Sequence, residues 1–147
     1  MSHFKTIDQA VENVLIKEKK SKFIGFAFPI FSVEEAKEKI NQIKKKHPSA
    51  NHHCYAYELG INSFKQFRYN DDGEPNNSAG LPIHRQIQSL NITNTLVIIV
   101  RYFGGVKLGV GGLTNAYKNT AKETLANCNI KTVPITHEKQ LIFDYSS

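Results

Sequence analysis

The chain has 147 residues, enough for one domain with a sizeable core, and its 40% hydrophobic and 22% charged residues are ordinary for a globular protein. The longest unbroken apolar run, Leu96 to Val100, is too short to cross a membrane. The N-terminal sequence lacks the basic region and apolar block of a secretion signal, and two cysteines are too few for a disulfide framework. We therefore expect a cytoplasmic protein without a membrane partner.

The formal net charge is +6, which permits an acidic partner such as a nucleic acid. The excess is almost entirely lysine, whereas arginine is the usual residue for planar recognition of phosphates and bases. The charge alone therefore does not identify the partner.

A strand is predicted first, because apolar residues alternate at positions 24, 26, 28 and 30. The segment Val14 to Lys20 is its expected hairpin partner, with the turn near Lys20–Ser21. Ser32 and Glu35 then form a capping-box pattern at the start of a helix, and His47-Pro48 ends that helix. Its inward face carries Val33, Ala36, Ile40 and Ile43.

Two aromatic-rich strands are predicted at His52–Leu59 and Phe64–Tyr69, joined by a turn at Gly60–Ser63. A helix with Ile83, Ile87 and Leu90 inward comes next. In the run from Thr95 to Val100, the residues on both faces of the predicted strand are apolar. This pattern is typical of a central strand that is covered on both sides.

The last helix follows a glycine-rich segment, with its inward face formed by Leu113, Tyr117, Thr120, Ala121 and Leu125. Terminal strands are expected at Lys131–Thr136 and Lys139–Tyr145. The order ββαββαβαββ predicts an α+β sandwich with helices packed on a mixed sheet.

The glycine-rich segment is the most unusual feature, since five glycines fall within nine residues: Gly104, Gly105, Gly109, Gly111 and Gly112. It fits neither a Walker A loop, which requires lysine where Val110 stands, nor a dinucleotide fingerprint, which fails at Thr114. Free amides at the start of a helix form an anion site, to which Arg101 and Lys107 would add charge. Tight turns and close helix–sheet packing remain the alternative explanation.

The sequence Asp71-Asp72-Gly73-Glu74-Pro75 is the densest group of carboxylates. It lacks calcium-loop spacing, because Arg68 stands where the first aspartate belongs. Asp71 and Asp72 could hold Mg²⁺ together with a substrate phosphate. The alternative is a tight turn in which the aspartates cap their own backbone. If this acidic turn meets the glycine segment, we expect a metal or a salt bridge to Arg101.

His52 and Cys54 point to one face of a predicted strand, and His52 is placed to hydrogen-bond the acidic turn. His52 and Arg68 are taken as supporting residues of the site. No second pair of ligands has zinc spacing, and no known nucleophile motif occurs. No catalytic residue is therefore assigned.

Three motifs in order, H-x-C-x-A-Y from 52, DDGEP-x-x-S-A-G-x-P-I from 71 and RYFGG-x-K-L-G-x-G-G-L-x-x-A-Y from 101, resemble the IMPACT family in its bacterial YigZ-type branch. The resemblance covers about residues 14 to 130. It implies a fold like domain 2 of ribosomal protein S5 over residues 1–132. It also implies that residues 133–147 begin a ferredoxin-like domain, truncated or absent here. The sequence departs from the family pattern in two places: Asn76-Asn77 replaces Ser-Gly, and Asn115 replaces a frequent arginine.

Eukaryotic members of this family are translation regulators that bind a ribosome-associated activator of a starvation-sensing kinase, and nucleic-acid or nucleotide binding has been suggested for bacterial members. We therefore expect a non-enzymatic module that binds RNA or a ribosome-associated protein through an anion site at the glycine segment. Two alternatives stay open. One is a protein-docking domain that uses the acidic turn, and the other is a magnesium-dependent enzyme acting on a nucleotide or phosphate ester.

Overall fold

The computed structural model describes residues 3–135, which form two β-sheets and three α-helices. The strands are β1 His3–Ile7, β2 Val11–Glu18, β3 Ser21–Pro29, β4 His52–Leu59, β5 Gln66–Asn70, β6 Thr95–Tyr102 and β7 Ile130–Pro134. The helices are α1 Val33–Lys46, α2 Gly80–Ser89 and α3 Gly109–Ala126, and a short 3₁₀ turn covers Asn62–Phe64. The predicted α+β class is confirmed.

The larger sheet has the strand order β2-β3-β6-β4-β5, and every neighbouring pair is antiparallel. This corrects the mixed sheet expected from the sequence. The helical crossover from β3 to β4 does bring β4 back parallel to β3, but β6 lies between the two strands and runs antiparallel to both.

Strand β6 is central, and apolar layers cover both of its faces. Val97 and Ile99 pack in the core beneath α2 and α3, while Ile98 and Val100 pack in the core beneath α1. The prediction of a central strand covered on both sides is confirmed. Residues of β6 that share the face of Val97 therefore lie on the side of the sheet covered by α2 and α3.

The hairpin of β2 and β3 is confirmed, and its turn consists of Lys19 and Lys20, whose φ values are +44° and +68°. Two consecutive positive φ values match a type I′ turn, which suits the twist of the paired strands. The helix α1 begins as predicted, because the Ser32 hydroxyl accepts a hydrogen bond from the Glu35 amide at 3.1 Å.

Strand β1 was not predicted, and it pairs with β7 in a separate two-stranded antiparallel sheet. Its Ile7 is only 1% exposed and joins the core beneath α2 and α3.

The predicted strand at Lys139–Tyr145 lies outside the described residues, as does most of the segment 133–147 assigned to a second domain. No helix within residues 3–135 has the length and apolar character needed to cross a membrane.

Gly25 lets α3 approach β3 closely, and replacing it with alanine tests this packing. A Cβ atom at Gly25 would lie 1.9 Å from the Thr124 hydroxyl oxygen. We expect Gly25→Ala to lower the free energy of unfolding by about 1–3 kcal/mol, measured by urea denaturation. Adding Thr124→Ala should recover part of that loss, since it removes the clashing atom. Equal stability of Gly25→Ala and the wild type would contradict this packing.

Candidate functional site

A cleft of about 390 Å³ lies at the end of the sheet where β6 stops and α3 begins. Strand β4 contributes His52, the acidic turn contributes Glu74, β6 contributes Arg101, and the segment before α3 contributes Phe103 and Lys107. The glycine segment and the acidic turn, 30 residues apart in the chain, therefore meet in space.

A buried ion pair forms the floor of this cleft. Arg101 is 5% exposed, and its Nη1 atom donates to both carboxylate oxygens of Glu74, at 3.0 and 2.8 Å. The Tyr117 hydroxyl donates to the same carboxylate at 2.5 Å. The expected salt bridge between the acidic turn and Arg101 is confirmed. Because its charge is already compensated, Arg101 is not a free cation for an anionic ligand, contrary to its predicted role.

His52 lies directly opposite Arg101 in the pairing of β4 with β6. Its Nδ1 atom is 2.8 Å from the backbone carbonyl oxygen of Asp72, so Nδ1 carries the proton and donates. Its Nε2 atom faces a Glu74 oxygen at 3.4 Å. The expected contact between His52 and the acidic turn is therefore present.

The two aspartates of the acidic turn serve the backbone. One carboxylate oxygen of Asp71 accepts the amides of Ala79 and Gly80 at 3.1 and 2.8 Å, and the other accepts the Asn77 amide at 2.8 Å. Asp71 thereby satisfies free amides at the start of α2. Asp72 accepts the His53 amide at 2.7 Å.

These contacts match the turn explanation, in which the aspartates cap nearby backbone. They occupy both carboxylate oxygens of Asp71 and one of the two oxygens of Asp72, the side chains considered for Mg²⁺. Within residues 3–135, no group of three or more His, Cys, Asp or Glu side chains is arranged to hold a metal ion.

The glycines have different surroundings. A Cβ atom at Gly104 would lie 2.0 Å from the carbonyl oxygen of Lys20, so Gly104 permits the loop to pack on the β2–β3 turn. Gly109, at the start of α3, has a φ of +75°. At Gly111, by contrast, a Cβ atom would have no atom within 4 Å, and φ is not positive. Gly105 is exposed and Gly112 is half-buried.

The amides of the segment from Gly105 to Leu108 make no hydrogen bond to the described part of the chain. The first amides of α3 have no capping side chain either, since Leu108 at the N-cap provides none. Lys107 is exposed beside them. The main-chain donors predicted from the glycine pattern are thus not occupied by carbonyl groups of the described residues.

Arg68 lies away from the cleft, which corrects its assignment as a supporting residue. It is exposed on the edge strand β5, opposite Tyr57 and on the α1 face of the sheet. A hydrogen bond with Tyr55 raises the pKa of Arg68.

Two features near the cleft were not predicted from the sequence: Phe103, which is 46% exposed, and the lysines of the β2–β3 turn. The sequence contains a signal for each feature. Lysines cluster at the hairpin turn, and Phe103 is an aromatic residue directly before the first glycine, Gly104.

Cys54 lies beneath the cleft and is fully buried. Its thiol donates to the Asp71 carbonyl oxygen at 3.1 Å, and it lies 3.4 Å from the Tyr117 hydroxyl. Burial raises the pKa of Cys54 and the pKa of Tyr117 well above their ordinary values. Both groups therefore keep their protons at neutral pH, and Tyr117 remains a donor to Glu74.

The Arg101–Glu74 pair should dominate the stability of the site. We expect Glu74→Gln to lower the free energy of unfolding by about 3–5 kcal/mol, because the Arg101 charge stays buried without its partner. The double variant Glu74→Gln/Arg101→Met should recover part of this loss in urea denaturation. Glu12→Gln is the control, since the exposed pair of Glu12 with Lys46 at 3.9 Å contributes at most about 1 kcal/mol. Similar losses for Glu74→Gln and Glu12→Gln would contradict the assignment.

The two thiols should be inert in the folded protein. Burial raises the pKa of Cys128 to about 11 and raises that of Cys54 further. A raised pKa lowers the thiolate fraction, which at pH 8 is about one in a thousand for Cys128 and smaller for Cys54. We expect slow reaction with a disulfide reagent at pH 8 and rapid reaction of both thiols in urea. One fast equivalent in the folded state would contradict this environment.

Residues 19–125 match the Impact N-terminal domain family. The IMPACT family member YvyE of Bacillus subtilis is 39% identical over 125 residues, which cover 85% of this chain and 57% of that protein. The IMPACT family member YigZ of Escherichia coli is 36% identical over 120 residues, which cover 81% of this chain and 59% of that protein. The chain thus spans a little more than half the length of these relatives.

Two solved structures share the fold. One, titled a crystal structure of a hypothetical protein, has a TM-score of 0.86 and 33% identity, and the match covers 92% of this chain and 66% of that one. The other, titled a structure of the two-domain translational regulator Yih1, has a TM-score of 0.52 and 22% identity, over 81% of this chain and 46% of that one. At 22% identity, the similarity to the second structure shows a shared fold and nothing more.

Proposed function

The chain belongs to the IMPACT family, and from that premise we propose that it is a non-enzymatic module that binds RNA in translation regulation, with an anion site at the start of α3. The observation that carries the proposal is the set of unpaired amides between Gly105 and the first turn of α3, beside a cleft of about 390 Å³. Amides at a helix start attract phosphate groups through direct hydrogen bonds and through the helix dipole.

The electrostatics of the cleft favour an anion. Glu74 is the carboxylate that lines it, and the charge of Glu74 is compensated by Arg101. Lys107 is exposed at the same place and has no ion pair within the described residues. Exposed Phe103 offers a ring on which a base would stack, as in many proteins that bind single-stranded RNA.

The link to translation rests on relatives. The family resemblance implies a role in translation regulation, and a protein of the same fold is titled a translational regulator. Because this chain spans only part of its bacterial relatives, the proposal concerns the module described by residues 3–135.

The contacts of the acidic turn favour neither alternative function. A docking surface formed by this turn would need free carboxylates, but Asp71 is bonded to backbone amides and Glu74 is buried against Arg101. Asp72 is a turn carboxylate that stays partly exposed, and one of its oxygens accepts the His53 amide. A magnesium-dependent reaction would need the same oxygens as ligands. RNA binding uses groups that are unpaired in the described residues.

Binding should depend on salt and on Lys107. We expect a fluorescein-labelled oligouridylate to bind less tightly as NaCl rises from 50 to 200 mM, because bound phosphates release counterions. Lys107→Ala should weaken binding and reduce the slope of log K against log[NaCl] by about 0.7, the effect of one phosphate contact on a single strand. Fluorescence anisotropy measures both quantities.

Lys122→Ala is the matched control, because Lys122 is also exposed but lies on α3 about 20 Å along the helix from its start. It should leave the affinity and the salt slope unchanged. An affinity that stays constant across this salt range would reject RNA binding, and equal effects of the two substitutions would reject the site.

A further inference from the structure

A second cavity, of about 420 Å³, lies next to the cleft and is lined by Lys20, Lys22, Ile24, His47, Tyr102 and Phe103. Phe103 lines both cavities. Apart from Phe103, the proposed function uses no residue that lines this second cavity, although it is the more basic of the two.

The two cavities lie on opposite faces of the sheet at one end. Lys22 pairs with Tyr102 in register, and Tyr102 packs against the core beneath α1, so the second cavity is on the α1 face. His52 and Arg101 place the cleft on the other face. Phe103 directly follows the last residue of β6 and is 46% exposed, so its ring stands at the boundary between the cavities.

The chemistry of the second cavity suits a phosphate next to a base. Lys20 and Lys22 are exposed ammonium groups, and no carboxylate is among the described residues that line the cavity. The Nδ1 atom of His47 is bonded to the Tyr102 hydroxyl at 2.5 Å. Burial, with His53 and Lys46 nearby, lowers the pKa of His47, which leaves the two lysines as the charges of this cavity.

The Phe103 ring is held from beneath. The Arg101 guanidinium carbon lies 5.5 Å from the centre of the ring, and the Phe103 amide donates to the Asn51 side-chain oxygen at 2.8 Å. An exposed ring with a guanidinium near its face is suited to stack with a base.

We propose that the second cavity is a subsite for the adjacent nucleotide of single-stranded RNA, which crosses the end of the sheet over Phe103 and places a phosphate on Lys20 and Lys22. The inference rests on the proposed function, since it extends the strand bound at the start of α3. The bound strand therefore occupies at least two nucleotide positions, one on each face of the sheet.

Two probes separate the subsites: uridine 5′-monophosphate, followed by NMR titration, and a labelled tetrauridylate, followed by anisotropy. Lys20→Ala/Lys22→Ala should weaken tetrauridylate binding about tenfold at low salt, the effect of losing two exposed ion pairs, and leave the monophosphate unchanged. Lys107→Ala should weaken both probes. Phe103→Ala should weaken tetrauridylate binding, whereas Phe103→Tyr should retain it.

The matched control is Lys122→Ala/Lys131→Ala, which removes the same charge from exposed positions on α3 and β7. Thermal unfolding of each variant establishes that it is folded. If Lys107→Ala weakens both probes while Lys20→Ala/Lys22→Ala weakens neither, or weakens both equally, the second subsite is refuted and the proposed function stands.

If the wild type binds neither probe, both proposals are refuted. Tetraglutamate that binds as tightly as tetrauridylate would show a surface that responds to charge alone, which overturns the assignment to RNA.

Discussion

The site depends on the buried carboxylate of Glu74. This carboxylate joins the acidic turn to β6 through Arg101 and to α3 through Tyr117, and its side chain is only 3% exposed. Removing a carboxylate from water is costly unless hydrogen bonds and an opposite charge compensate it. Here both are present, so three distant segments are held in one arrangement. The pair also neutralises the floor of the cleft, which leaves main-chain amides and Lys107 as the groups there without a partner among the described residues.

The motifs in the sequence were sufficient to predict that the acidic turn and the glycine segment meet, but not which side chains pair. Alternation shows which face of a strand a residue occupies, and it placed His52 correctly. It cannot show whether Asp71 or Glu74 pairs with Arg101, because that pairing depends on where α2 starts and on how deeply the turn is buried. Arg68 was misplaced for a different reason, since its strand lies at the edge of the sheet and its side chain lies on the α1 face. Strand β1 was missed because its pairing partner, β7, lies more than 120 residues away in the chain.

The departures from the family pattern become interpretable in the structure. Asn77 has a φ of +62° and donates its amide to Asp71, so an asparagine occupies a conformation that glycine adopts readily. Asn115 is exposed on α3 and is outside the cleft that contains Lys107.

The two explanations of the glycine segment, an anion site and close packing, also prove compatible. Gly104 serves packing, whereas Gly111 has neither a neighbour nor a positive φ to explain it, which leaves open space beside the first turn of α3.

The lysine pair at the tip of the β2–β3 hairpin has an energetic consequence. Lys19 and Lys20 both adopt left-handed backbone conformations, which cost a residue with a side chain about 1 kcal/mol or more, whereas Asn-Gly would adopt the same turn with little strain. Replacing the pair with Asn-Gly would make a firmer hairpin and remove two positive charges from the end of the sheet. Stability of the turn and positive charge at the end of the sheet thus impose opposing demands on one dipeptide, and the tip carries the charge at the expense of turn stability.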